Sequence, residues 1–151
     1  MKKMNKILIC VAALICVVTM VAGCKTTLSY TFNVDNGDVI KVSMDTTDKY
    51  KMTSDVPFTI SKDGQDLTQG TFIHGEAYEQ YVNVVNTDDK AVLLDSGTKD
   101  GNEYVFWCYD GKEYNYAIMV SGSNTGVILG NPVSEETAKE CFNRMTITKE
   151  G

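Results

Sequence analysis

The stretch Glu103-Tyr104-Val105-Phe106-Trp107-Cys108-Tyr109-Asp110-Gly111-Lys112-Glu113-Tyr114-Asn115-Tyr116-Ala117-Ile118-Met119 decides the fold. Asp110-Gly111 offers the positive φ angles that a tight hairpin demands, and its flanks are rich in aromatic and β-branched residues. With a loop of two or four residues, Val105, Trp107 and Tyr109 share a face with Tyr114, Tyr116 and Ile118. The other face then receives Tyr104, Phe106, Cys108, Ala117 and Met119. Both faces are apolar, whereas a hairpin with one solvated face alternates apolar with polar. This hairpin therefore belongs inside a sheet, with something packed on each side.

Outward from it, turn chemistry recurs at Asn36-Gly37, Asp63-Gly64, Ser96-Gly97 and Asp100-Gly101. The segments between read as strands: 28–34, 39–44, 57–61, 70–74, 91–95, 103–109, 113–121 and 125–129. Two stretches change period. Over 75–86, Tyr78, Tyr81, Val82 and Val85 fall at i, i+3, i+4 and i+7, which predicts a short amphipathic helix. Near the C-terminus Ser134 offers an N-cap, Glu135 and Glu136 favour the positive first turn, and Ala138, Cys141, Phe142 and Met145 make one apolar stripe. Val133 is placed to pack on Ala138 as a hydrophobic staple. The expectation is an α+β domain: mainly antiparallel sheet, with two short helices packed on it.

The element order, with an early hairpin, a tyrosine-bearing helix after Gly70-Thr71-Phe72, a strand meander and a terminal helix before the short strand 146–149, resembles the PsbP and Mog1-like group. That resemblance implies a sandwich fold and an accessory or interaction role rather than an enzymatic one.

The start of the chain has its own pattern. Met1-Lys2-Lys3-Met4-Asn5-Lys6 precedes an uncharged run from Ile7 to Ala22, the layout of an export signal peptide. Val21-Ala22-Gly23-Cys24 resembles the bacterial lipobox, which implies cleavage before Cys24 and a diacylglycerol thioether on its sulfur. The run is slightly short for a permanent span, which needs about 20 residues; an uncleaved helix or an ordinary signal peptide is the alternative. Residues 1–23 are thus expected to be removed, 24–28 to form the lipidated N-terminus and a short tether, and 29–151 to fold as one domain at the outer side of a cell membrane or envelope.

Removing the leader takes Lys2, Lys3 and Lys6 and no acid, leaving 11 basic side chains against 20 acidic ones, about −9. Such a surface repels phosphate backbones, so nucleic acid is not an expected partner, and anionic lipid gives it no electrostatic hold. Membrane attachment then falls to the acyl chains, and the other expected partner is an envelope protein or a small ligand.

Residues for chemistry are few. His74 is the only histidine; it is either a strand-end residue with ordinary hydrogen bonds or, beside Glu76 and other carboxylates, the base of a hydrolase. The serines lack a Gly-x-Ser-x-Gly elbow, and the Gly-rich 121–126 lacks the Gly-Lys-Ser/Thr ending of a phosphate loop. The turn acids Asp35, Asp38, Asp63, Asp66, Asp88, Asp89, Asp100 and Glu103 fit no calcium-loop pattern and read as turn residues. No metal or cofactor is expected. Cys108 and Cys141 are not a Cys-x-x-Cys pair; they form a disulfide, act as a redox pair, or sit as two separate buried thiols. Trp107, Tyr109, Tyr114 and Tyr116 are either core or a binding face, with Tyr109 and Tyr114, beside the turn, as the candidate binding surface.

Overall fold

The computed structural model describes residues 11–14, 20–22 and 25–151, with side chains from Thr26 onward. Cys24 and most of the expected leader lie outside the described residues. The elements are β1 (Val11–Leu14), β2 (Met20–Ala22), β3 (Lys25–Val34), β4 (Val39–Asp45), a 3₁₀ turn (Thr47–Lys49), β5 (Tyr50–Met52), β6 (Phe58–Lys62), β7 (Gln65–His74), α1 (Gly75–Thr87), β8 (Ala91–Lys99), β9 (Asn102–Tyr109), β10 (Glu113–Met119), β11 (Thr125–Asn131), α2 (Glu135–Arg144) and β12 (Met145–Glu150).

Two antiparallel sheets result. The larger runs β5-β6-β7-β11-β10-β9-β8, and the smaller runs β1-β3-β4-β12 with β2 also on β3. The smaller sheet and α2 cover one face of the larger, around Phe32, Phe58, Phe72, Phe106, Tyr116, Cys141 and Phe142. Helix α1 covers the other, around Ile73, Tyr78, Val85, Trp107 and Ala117. The β9–β10 hairpin is thus apolar on both faces because both faces are buried. Buried Asn102 helps join the layers: its Nδ2 donates to the Ile147 carbonyl at 2.8 Å, and its Oδ1 accepts the Ser121 N–H at 2.8 Å.

The hairpin register differs from expectation by one residue. Asp63-Gly64 and Asp100-Gly101 close two-residue loops, with Lys62 opposite Gln65 and Lys99 opposite Asn102. At Asp110-Gly111, Tyr109 pairs with Glu113, so Lys112 adds a third loop residue. A one-residue slip moves every side chain of one strand to the opposite face. Tyr114, Tyr116 and Ile118 therefore lie with Cys108, Phe106 and Tyr104, and Trp107 and Tyr109 lie with Asn115 and Glu113.

Other expectations need correction. Residues 25–28, expected as tether, already belong to β3, with Thr27 opposite Asp45 and Leu28 opposite Met44. Ser96-Gly97 is no turn; it continues β8 opposite Val105 and Tyr104. A Cβ on Gly97 would lie 3.4 Å from the Tyr104 hydroxyl, an ordinary contact, so this position leaves room for a side chain. The expected caps are in place: Ser134 Oγ accepts the Thr137 N–H at 3.1 Å, and buried Asn131 Oδ1 accepts the N–H groups of Val133 and Ser134 at 2.8 and 3.1 Å. Val133, before the cap, is 41% exposed.

Candidate functional site

Strand β8 ends the larger sheet, with β9 on one side and, among the described residues, no strand on the other. In an antiparallel ladder alternate residues turn their N–H and C=O groups away from the neighbouring strand, so an edge presents a row of unmatched donors and acceptors. Val92, Leu93 and Leu94 are 58%, 48% and 37% exposed on this edge. Val92 sits opposite Cys108 and Leu93 opposite Trp107, so the two flank opposite faces of the sheet. The register shifts between Leu93 and Asp95, leaving Leu94 without an opposite residue, as at a β-bulge.

The two tyrosines singled out from the sequence border this edge but do not share a face. Tyr109 lies opposite Ala91 and is half-buried on the α1 side. Tyr114 lies across Cys108 from Val92, half-buried on the α2 side. Trp107 and Tyr116 are core. The expected row of four aromatics is therefore divided between two layers.

Cys108 and Cys141 are both buried and free. Helix α2 does cover the face that carries Cys108, but Cys141 bonds to Thr68 on β7. The order β7-β11-β10-β9 separates the Thr68 and Cys108 columns by three strand spacings, about 14 Å. A disulfide tolerates Cα separations only to about 7 Å. Burial also pushes the Cys141 thiol up, more than the Thr68 bond lowers it, which keeps the sulfur protonated and weakly nucleophilic.

His74 ends β7 and precedes α1. Its Nε2 faces Asp35 Oδ1 at 3.7 Å, rather than Glu76, which points to solvent. Beside it the β3–β4 turn locks onto the β10–β11 loop: Asp38 Oδ2 accepts the Asn124 N–H at 2.9 Å and the Thr125 hydroxyl at 2.8 Å, and Lys149 Nζ stands 3.4 Å from Asp38 Oδ1. Burial pushes the Asp38 carboxyl up, but the Thr125, Asn124 and Lys149 partners outweigh it and hold the group below its usual value. The folded state thus binds this proton less readily than the unfolded chain. Its stabilisation is complete above about pH 4 and is lost as pH falls through the lower folded value. Asp38→Asn is accordingly expected to lower stability at neutral pH and to flatten the acid limb of a stability-versus-pH curve measured by urea unfolding; an unchanged acid limb would count against the lock.

An open polar cleft of about 440 Å³ is lined by Thr27, Ser43, Asp45, Glu140, Asn143 and Arg144, among others. Arg144, the only arginine, is committed to structure there: it donates to the Thr47 carbonyl at 3.2 Å and to Asp48 Oδ2 at 2.7 Å, and lies 4.0 Å from the Tyr50 ring centre. Asp48 and Lys49 both have left-handed backbone angles, so Arg144 pins a turn that side chains rarely adopt. Burial first, and the Glu140 carboxylate second, push the Tyr50 phenol up, so it stays a donor to Glu140 Oε2 at 2.5 Å. Its partners Thr47 and Asp48 lie nearly a hundred residues away in sequence, beyond the reach of any local signal. Among the described residues no group of three or more His, Cys, Asp and Glu side chains gathers around a metal-sized space. No helix among them is long and apolar enough to cross a membrane.

Fold and site define an α+β protein of three layers with an uncovered apolar edge. No family model, curated protein or solved structure matches the chain.

Proposed function

We propose that this chain is exported, cleaved before Cys24, lipidated on that cysteine, and held at the outer side of the membrane as a non-catalytic binding or accessory module. A single observation carries the binding half: Val92, Leu93 and Leu94, three consecutive apolar residues, are exposed on an edge strand rather than scattered. Isolated exposed apolar residues are ordinary, whereas a run of them along open ladder groups is an adhesive surface that a monomer normally blunts. The anchor half rests on the leader and the Val21-Ala22-Gly23-Cys24 junction. Cleavage there would remove β1 and β2 and leave β3, β4 and β12 as the smaller sheet. The PsbP and Mog1-like element order adds an accessory role to the same proposal.

Two acyl chains hold a protein stably at a bilayer, whereas one holds it marginally. Intact-mass analysis of the native protein should therefore show a diacylated N-terminus at Cys24, with the protein in the membrane fraction, and Cys24→Ala should block maturation, leaving an unlipidated precursor that keeps residues 1–23. A soluble wild-type product beginning elsewhere would refute the anchor. For the binding half, a photo-crosslinker at position 92 should capture an envelope component that the same group at exposed Lys51, on β5, does not.

A further inference from the structure

We propose that β8 accepts, by strand addition, an extended apolar segment flanked by basic residues; this rests on the binding role proposed above and names its partner's chemistry. Backbone pairing sets the mode, since the open ladder of β8 matches any extended chain and reads no sequence by itself. The side chains select apolar content. A strand laid along β8 meets Val92 with Tyr114 beyond it on one face, and Leu93 with Tyr109 near it on the other. Cross-strand apolar pairs on both faces favour β-branched or aromatic residues at successive positions of the guest.

Charge selects the flanks. Asp88 and Asp89 precede β8, Asp95 lies within it, Asp100 follows it, and the Asp110 N–H bonds to the Lys90 carbonyl at 2.9 Å, bringing a fifth carboxylate to the same border. With Glu113 beside Asp110 the acids number six, and against them stand Lys90, Lys99 and Lys112, a net charge of −3. Lys99 is turned inward, its ammonium donating to Asp100 Oδ2 at 3.0 Å and to the Met145 carbonyl. A second copy of this chain would bring the same carboxylates against their like, and an anionic bilayer would be repelled in the same way. Lysines or arginines on either side of a guest strand would instead meet an opposite field. The bulge at Leu94 interrupts the ladder, so the guest pairs over a short run and depends on those flanking charges to be retained.

The experiment uses the full lipoprotein in neutral detergent with three labelled nonapeptides: Lys-Lys-Val-Thr-Val-Thr-Val-Lys-Lys, the same core flanked by glutamates, and the lysine peptide with proline at its centre. Fluorescence anisotropy should show the lysine peptide binding at least tenfold tighter than either of the others. Its affinity should fall severalfold between about 20 and about 300 mM NaCl, as screening predicts. Val92→Thr with Leu93→Thr, substitutions a strand tolerates, should weaken it at least tenfold with an unchanged circular dichroism melt. Asp88→Asn with Asp89→Asn should shrink the preference for lysine over glutamate flanks. Equal binding of the lysine and glutamate peptides, or of the proline peptide, overturns the inference. So does a concentration-dependent dimer of the protein alone that Leu93→Thr dissolves. If the lysine peptide fails while the crosslinker at position 92 still captures an envelope component, the inference falls and the binding role stands; if both fail, the role falls too.

Discussion

Gly70→Ala is expected to cost about 3 kcal/mol, the upper end for overpacking a core. Gly70 on β7 lies opposite Phe58 on β6, and the phenyl ring rests on the bare glycine backbone. A Cβ there would stand 2.1, 2.3 and 2.7 Å from three atoms of the ring. The ring cannot step aside, because Phe58 is fully buried with Phe32 and Phe72 at centroid distances of 6.0 and 6.1 Å. Phe58→Leu removes the clashing atoms and, as a large-to-small exchange in the core, carries a cost of its own that the double-mutant cycle subtracts. In that background Gly70→Ala should become nearly neutral, so urea unfolding of the four proteins should give a coupling of about 2 kcal/mol or more. An equal cost of Gly70→Ala in both backgrounds would show that backbone conformation, and not the ring, demands the glycine.

The second large effect tests the two-sided sheet. Phe106 and Trp107 are neighbours in β9, 0% and 4% exposed, and face different layers. Phe106 stacks on Tyr116 at 4.1 Å, and Tyr116 on Phe142 at 4.1 Å, an aromatic column running from the sheet into α2. Trp107 meets Tyr81 of α1 at 6.0 Å. Truncating either to alanine should cost about 3–5 kcal/mol, the usual range for a buried large aromatic. The milder Phe106→Leu and Trp107→Phe, which act on different layers, should each lower stability on their own. A Trp107→Ala variant that unfolds at the wild-type urea concentration would mean that α1 does not cover the sheet.

Much of this arrangement was legible beforehand. The doubled apolar pattern of 103–119 placed a hairpin inside a sheet, the period of Tyr78, Tyr81, Val82 and Val85 placed α1, and Ser134 with the stripe from Ala138 to Met145 placed α2. These follow from local rules, because periodicity and capping depend only on neighbours along the chain. The short β5 and the turn before it were missed, since three residues carry no period.

The candidate site was far less legible. Val92-Leu93-Leu94 reads like any buried strand, and nothing near it in sequence says that the sheet stops there. Tyr109 and Tyr114 were rightly placed beside the turn, but Lys112 lengthened the loop and put them on opposite faces. The pairing of His74 with Asp35, the setting of Cys141 over Thr68 and the hold of Arg144 on the Thr47 turn all join residues distant in sequence. By itself the sequence determined the elements, the two-sided burial of the central hairpin, the acidic surface and the leader pattern, all properties of short stretches or of composition. Only the tertiary structure decided strand order, register and which apolar strand was left uncovered, because those depend on one loop residue's phase and on contacts that exist only once the layers have closed.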